Sequence, residues 1–448
     1  MATNATQTEP TPATAKLHQI EETAPELQRG PKWLREHRYQ SRQAYNEAPL
    51  ARRGLHLWRY TDPVKFLVNR EDIADTAYGP GYDQVEAVLQ DELKQGRMAA
   101  VATDLGGREI SFRGIELLAE RGIIVSKLSD AVLHHPELVR DHLYKLVNGG
   151  LGKFEALNGA LWNDGIFIYV PQGKTIEQPI HLLREAGLAQ SSQYPRLLVV
   201  AEDDTELTLV DEYGGGSPDR DEGISQSHGA VEIFGGKHSR IQYVILQRQG
   251  NGAHTYLTHR ARIEEGATML TIPLAFGASL SKHNYGVILH GRHSESTMRG
   301  LAFGSKHQHY DYHTLHHHAV GETLSNIDHK VVLKDRALSA YTGLIRIEQN
   351  ARTCEAFQEN RNLLLNKGPR AETIPELEIL NEDVRCSHGA TIGPLDPLEV
   401  FYLESRGIAR EKAVRMIVAG FTEPTLRQLP ADLRERIERF VVKRLEDI

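Results

Sequence analysis

From Gly165 to about residue 390 the chain is broken into short apolar runs, each closed by a turn, with no convincing helical periodicity anywhere between. Ile166–Val170 comes first, closed by Pro171 and Gly173. Leu197–Val200, Leu207–Val210, Val231–Phe234, Ile241–Leu246, Met269–Leu274, Val287–Leu289 and Leu344–Ile347 follow. Apolar runs of this length between Gly, Asp, Asn or Lys turns read as buried strands. The turns recur as well. Anchored on Thr205, Ser239, Thr268 and Ser296, they step by 34, 29 and 28 residues; Leu338, Arg352, Arg370 and Arg385 then follow comparable turns at steps of 14, 18 and 15. Spacing near one unit and its double predicts a coil whose turns stack, each burying its strands against the next. The expected fold is therefore mainly β, with a parallel β-helix as its core. A β-sandwich would alternate polar and apolar residues and join its strands by two-residue hairpins.

Helical signals flank this core. Gln84–Lys94 carries Val85, Val88, Leu89 and Leu93 on one face, and Val125–Asp130 reads as a strand running into a capped helix. At the other end Asp396, Pro397 and Glu399 mark a helix start, and Gly407 suits its stop. Two more helices follow, the last with Leu433, Ile437, Phe440, Val441 and Leu445 as a stripe that packing would bury. Phe401 and Tyr402, adjacent on the first of these helices, are expected to point different ways, one of them outward. The predicted layout is a disordered tail at 1–28, a mainly helical N-terminal domain at 29–158, a β-helix at 159–393 and a helical domain at 394–448. The tail expectation rests on its Thr, Ala, Pro and Gln content and its lack of large apolar side chains.

Composition removes several function classes. No apolar run approaches the roughly 18 residues of a membrane helix. A net charge of −8 gives no basic surface for nucleic acid. With only two cysteines, Cys354 and Cys386, a disulfide framework is excluded and a reducing cytoplasm is the expected home. Two thiols also cannot supply the four thiolates of a typical metal cluster. No phosphate-binding Gly-rich loop, HExxH or Ser-His-Asp order is present, so neither ATP hydrolysis nor hydrolytic catalysis has visible machinery.

Two constellations carry possible metal chemistry. Twelve of the 22 histidines lie between His254 and His329, densest at His307–His318. On a strand His307, His309 and Asp311 would share one face, as would His316 and His318. Such residues form a metal site only if three or four converge; otherwise they are a polar ladder of a stacked coil. Cys386-Ser387-His388 is sharper, because residues two apart on an extended segment project to one face and a thiolate and an imidazole there could meet one ion. Cys354 lies in a turn and reads as structural.

Three further blocks carry a family likeness. They are Arg52-Arg53-Gly54 through Trp58-Arg59-Tyr60-Thr61-Asp62, then Leu157-Asn158-Gly159-Ala160 leading to Asp164–Pro171, and finally Gln358–Leu365, Cys386–Thr391 and Phe401–Ile408 in that order. On these blocks the chain resembles the SufB/SufD proteins of iron–sulfur cluster assembly, on the SufD side. SufB-like chains commonly carry extra cysteines, including one near the position of Asn360. The resemblance implies a flattened right-handed β-helix between helical regions, in a non-catalytic scaffold subunit. It implies pairing with a SufB-like paralogue, with a homodimer in isolation, and binding of a SufC-like ABC ATPase, which performs the hydrolysis, through Phe401, Tyr402, Arg406 and Ile408. It also implies that Cys386 and His388 meet iron or a transient cluster shared with the partner, none being held by this chain alone. It leaves flavin binding by the assembled complex open. The competing reading is a metal-dependent or carbohydrate-active β-helix enzyme.

Overall fold

The computed structural model describes residues 19–67, 82–107, 109–187, 191–216 and 223–445. Its core is a parallel β-solenoid of two facing sheets. One runs from Glu109–Arg113 and Ala100–Leu105 through Ile180–Ala186, Glu206–Gly215, Arg240–Gln247, Thr268–Ala275, Glu295–Gly304 and Leu324–Leu333 to Cys354–Leu364 and Val384–Pro394. The other runs from Ile124–Lys127 and Ile166–Val170 through Arg196–Ala201, Ser225–Gly235, Ala253–Ile263, Leu280–Leu289, His309–His318 and Leu338–Ile347 to Arg370–Ile379. The chain alternates between the sheets, so each coil contributes one strand to each.

The recurring turns have a single cause. Asp204, His238, Gly266, His293, Glu322 and Thr353 all take positive φ. Each donates its N–H to a carbonyl of the next coil: Asp204 to Lys237, His238 to Glu265, Gly266 to Arg292, His293 to Glu322, Glu322 to Arg352 and Thr353 to Asp383. One left-handed residue turns the same corner in every coil, and its N–H is satisfied along the stack. These corners step by 34, 28, 27, 29 and 31 residues. Two of the anchors read from sequence are therefore out of register: Ala267 and Ser294, not Thr268 and Ser296, stand where Thr205 and Ser239 stand. The side chains at those positions obscured the repeat, whereas the backbone keeps it.

Between the sheets, Leu182, Leu209 and Ile245 of one sheet share a buried cluster with Ile168, Val199 and Ile233 of the other. The outer faces are covered unequally. Helices Arg410–Leu426 and Ala431–Arg444 lie on the first sheet, where Val414, Val418, Leu433, Ile437 and Val441 join Val210, Val244, Ile272 and Leu301 in one apolar cluster. Burial of the last helix's Leu433, Ile437, Val441 and Leu445 contributes roughly 6–12 kcal/mol gross. The second sheet is covered by N-terminal helices Lys32–Glu47 and Lys153–Leu161, whose Tyr45, Phe154 and Leu157 pack with Tyr256 and Leu280.

The predicted helix at 84–94 is Tyr82–Lys94, and the predicted strand-into-helix is Ile124–Lys127 followed by Leu128–His134. Of the expected tail, residues 1–18 lie outside the described residues. Ile20, Ala24 and Leu27, read from sequence as part of it, are buried. Three strands of the N-terminal region join the solenoid sheets, so the β-structure begins at Ala100, well before residue 159.

Candidate functional site

Arg370–Ile379 and Val384–Pro394 are the terminal strands of their sheets, and both lie at the same end of the solenoid. They are 10 and 11 residues long. Each pairs on one side only, with Leu338–Ile347 and Cys354–Leu364 respectively. A long open edge is a template for another chain unless something covers it, and no described strand does.

Cys386 and His388 sit on this edge. The ladder sets Cys386 opposite Ala356 and His388 opposite Gln358. Ala356 and Gln358 are buried, as are Cys354, Asn360 and Asn362 further along the same strand face. Cys386 and His388 thus continue an inward row of the solenoid, at the point where no further coil closes over it. Both face the same way, as the two-residue spacing predicts. Cys386 is half-buried beside Leu377, Val384 and Cys354, while His388 is exposed. Burial, and then the neighbouring Cys354, pushes the Cys386 thiol above its ordinary pKa. It is therefore protonated at neutral pH.

Cys354 is fully buried at the start of its strand, 3.2 Å from Thr323 Oγ1, a structural position. Below His388 the inward row is polar. Asn360 Nδ2 donates to the His329 carbonyl at 2.9 Å, and Asn362 Nδ2 donates to Asn360 Oδ1 at 2.7 Å. Gln358 Nε2 reaches the Gly343 carbonyl while its Oε1 has no described partner. The alternation Gln-x-Asn-x-Asn on a strand was the available signal for this row.

Helix Pro397–Ser405 follows the edge strand directly. Asp396 caps it by accepting from Leu398 N at 2.8 Å, as its sequence predicts. Only Val400 of this helix is buried. Leu398, Phe401 and Tyr402 are 74%, 66% and 57% exposed. The expectation that just one of Phe401 and Tyr402 faces outward is corrected: the helix projects from the body, so neither is covered. Arg406 lies over the Tyr402 ring at 5.2 Å, and Ile408 is half-buried.

The histidine patch divides across the sheet. His316 and His318 point inward, with Ser296, Thr323 and Ser325 as partners, whereas His317 points outward to Glu348. Burial holds His316 down to about 3 and His318 to about 4, so both are neutral. No three His, Cys, Asp or Glu among the described residues could hold a metal ion together. Asp311 instead pairs with Lys282 at 3.1 Å and His313 at 2.8 Å, and accepts from Thr61 Oγ1. That contact, with Trp58 stacked on Tyr256 (ring centroids 6.0 Å apart), straps the segment around Arg52–Asp62 to the solenoid. Asn158 has a similar task, bridging the Pro195 and His228 carbonyls and the Arg196 guanidinium.

Comparison with known proteins agrees with this architecture. Residues 183–421 match the SUF system FeS cluster assembly SufBD core domain, and residues 113–182 match the SufBD N-terminal region. The chain is 26% identical to the iron–sulfur cluster assembly protein SufB of Bacillus subtilis (strain 168), over 96% of this chain and 92% of that protein. It is 25% identical to SufBD family proteins of Staphylococcus epidermidis and Staphylococcus saprophyticus, over 93% of this chain and 90% of each. A solenoid with an open polar end, matched along both of its regions, places the chain in the SufBD family of the SUF iron–sulfur cluster assembly system.

Proposed function

We propose that this chain is the SufD-type subunit of a SUF assembly complex, a scaffold without catalysis of its own. The observation that carries this reading is the open end of the solenoid, where two long strands are each paired on one side only and one of them carries Cys386 and His388. A SufB-like paralogue, itself a solenoid of the same kind, has matching edges and pairs there through backbone hydrogen bonds. Two thiols, one of them buried as a structural group, leave this chain short of cluster ligands. The nascent cluster is therefore cargo shared with the partner's thiolates, with His388 as the imidazole ligand and Cys386 beside it. The exposed Leu398, Phe401 and Tyr402, with Arg406 and Ile408, form the surface for a SufC-like ATPase in a reducing cytoplasm. Asn360, in place of a cysteine, supports the SufD assignment over SufB.

The test is iron and acid-labile sulfide per purified complex after anaerobic co-expression with the partners. His388→Ala is expected to lower both while leaving the size-exclusion profile unchanged. Cys386→Ala has a milder effect, and Cys354→Ala does little beyond local packing. Wild-type cluster content in the His388→Ala complex would make the pair structural. Truncation at Pro394 is expected to abolish ATPase capture in a pull-down, and undiminished capture would move that surface elsewhere.

A further inference from the structure

The strap around Arg52–Asp62 does not lie flat on the solenoid. Between it, the start of helix Lys153–Leu161 and the outer face of the second sheet is a cleft of about 790 Å3. This is within the range of about 300–1,000 Å3 for small-molecule sites. Its walls are largely apolar, with Leu55, Leu57, Trp58 and Phe154 on one side and Leu315 and Leu344 on the sheet.

The floor carries a cation, Arg260, that the Glu155 carboxylate reaches only at longer range and without an ion pair. Arg260 lies across Gly286 of the next strand, where a Cβ would come within 2.8 Å of its Cδ; glycine there makes room for the guanidinium. Nη1 donates to the carbonyls of His259 and Asn284, at 2.8 and 3.0 Å. No carboxylate pairs with Arg260 among the described residues. The near candidate, Glu155, is engaged by the hydroxyls of Tyr256 and Thr258 at 2.8 and 2.6 Å. Lys282, by contrast, is matched by Asp311. His313 lines the same cleft, and its Nδ1 is buried with no described partner. A half-buried guanidinium without an ion pair, in a largely apolar cleft, gains a strong partner when the acid group of an anion meets it.

We propose that this cleft binds a small organic anion, its acid group on Arg260 and its aromatic or aliphatic body against Trp58, Leu315 and Leu344. The cleft reaches the terminal strand at Glu376, but on the outer face of the second sheet rather than on the inward row of Cys386 and His388, and it does not depend on the function proposed above. Arg260 gives the planar, two-pronged donor that carboxylates, sulfonates and phosphate esters share.

The test uses two fluorescent probes of similar shape, anilinonaphthalene sulfonate and the uncharged N-phenyl-1-naphthylamine, titrated into the full-length chain. The wild type is expected to bind the sulfonate at one saturable site. Arg260→Gln is expected to weaken the sulfonate by about tenfold or more while leaving the neutral probe unchanged. Leu315→Trp, at a half-buried position on the floor, fills the cleft and is expected to abolish both; it decides the matter if Arg260→Gln does not fold. Absence of saturable sulfonate binding to the wild type would overturn the proposal. So would equal sulfonate affinity in a folded Arg260→Gln, or undiminished binding to Leu315→Trp.

Discussion

The carboxylate of Glu232, buried on the outer face of the second sheet, accepts from the backbone N–H groups of Tyr144, Leu146 and Val147 at 2.8–3.0 Å. It also pairs with Arg196 at 2.6 Å, and Arg196 lies 4.2 Å from the centre of the Tyr144 ring. Tyr144 takes a positive φ there. One side chain thus ties an irregular turn of the N-terminal region to the solenoid. Glu232→Ala would leave three amide donors without an acceptor and the buried Arg196 guanidinium without its counter-charge, which costs about 3–5 kcal/mol. The expected outcome is a large drop in the denaturation midpoint, smaller for Glu232→Gln, which keeps one acceptor oxygen. An unchanged midpoint for the alanine variant would mean that water takes over this role. No local pattern marks Glu232 as different from the outward Arg262 in the same sheet, because its amide partners lie 85–88 residues away in the chain and Arg196 36 residues away.

Among elements, helix Pro397–Ser405 is the one whose stability and whose surface can be separated. Its start was legible, since Asp396 and Pro397 supply a cap and a preset φ within three residues. Its exposure was not legible, because whether Phe401 is buried depends on where the neighbouring helices dock. Asp396→Ala is expected to destabilise this helix by about 1 kcal/mol, seen as faster amide exchange across 397–405. Phe401→Glu touches no core and is expected to leave the melting temperature within a degree or two while abolishing ATPase capture. If the melting temperature fell sharply instead, Phe401 would be a packing residue.

At the scale of the whole molecule, the fold holds many buried neutral imidazoles, five inside the solenoid and two, His228 and His309, on the covered outer face of the second sheet. Burial lowers His228, His259, His283 and His316 to about 3, and His309, His318 and His329 to about 4. In the unfolded chain each returns to about 6.5. Below that pH the unfolded state takes up protons that the folded state refuses. The stability they leave intact above pH 6.5 is therefore lost progressively as pH falls toward 4. Glu185 acts in the opposite sense: burial raises it to about 7, so its contribution grows as pH drops from 7 toward its unfolded value. It is one group against seven. Unfolding at pH 5 is therefore expected to take up protons on balance, and thermal stability to fall between pH 6.5 and 5. A melting temperature that is flat over this window would show that the buried histidines are hydrated and free to titrate.

Local spacing along the chain was enough to favour the solenoid. Short apolar runs and recurring turns have few other ways to bury their strands, and stacking is a near-neighbour rule that local spacing carries. It also determined that Cys386 and His388 share a face, because strand alternation needs only the two-residue offset. Tertiary structure alone decided that this face lies on the last coil, where the inward row meets solvent, since that depends on where stacking stops. It decided that the three consecutive histidines His316–His318 split into two interior groups and one surface ion pair. It decided as well that Arg260 stands without an ion pair among the described residues. Charge balance at a buried site is set by residues far apart in sequence, and the folded chain brings Glu155 close to Arg260 but commits it to Tyr256 and Thr258.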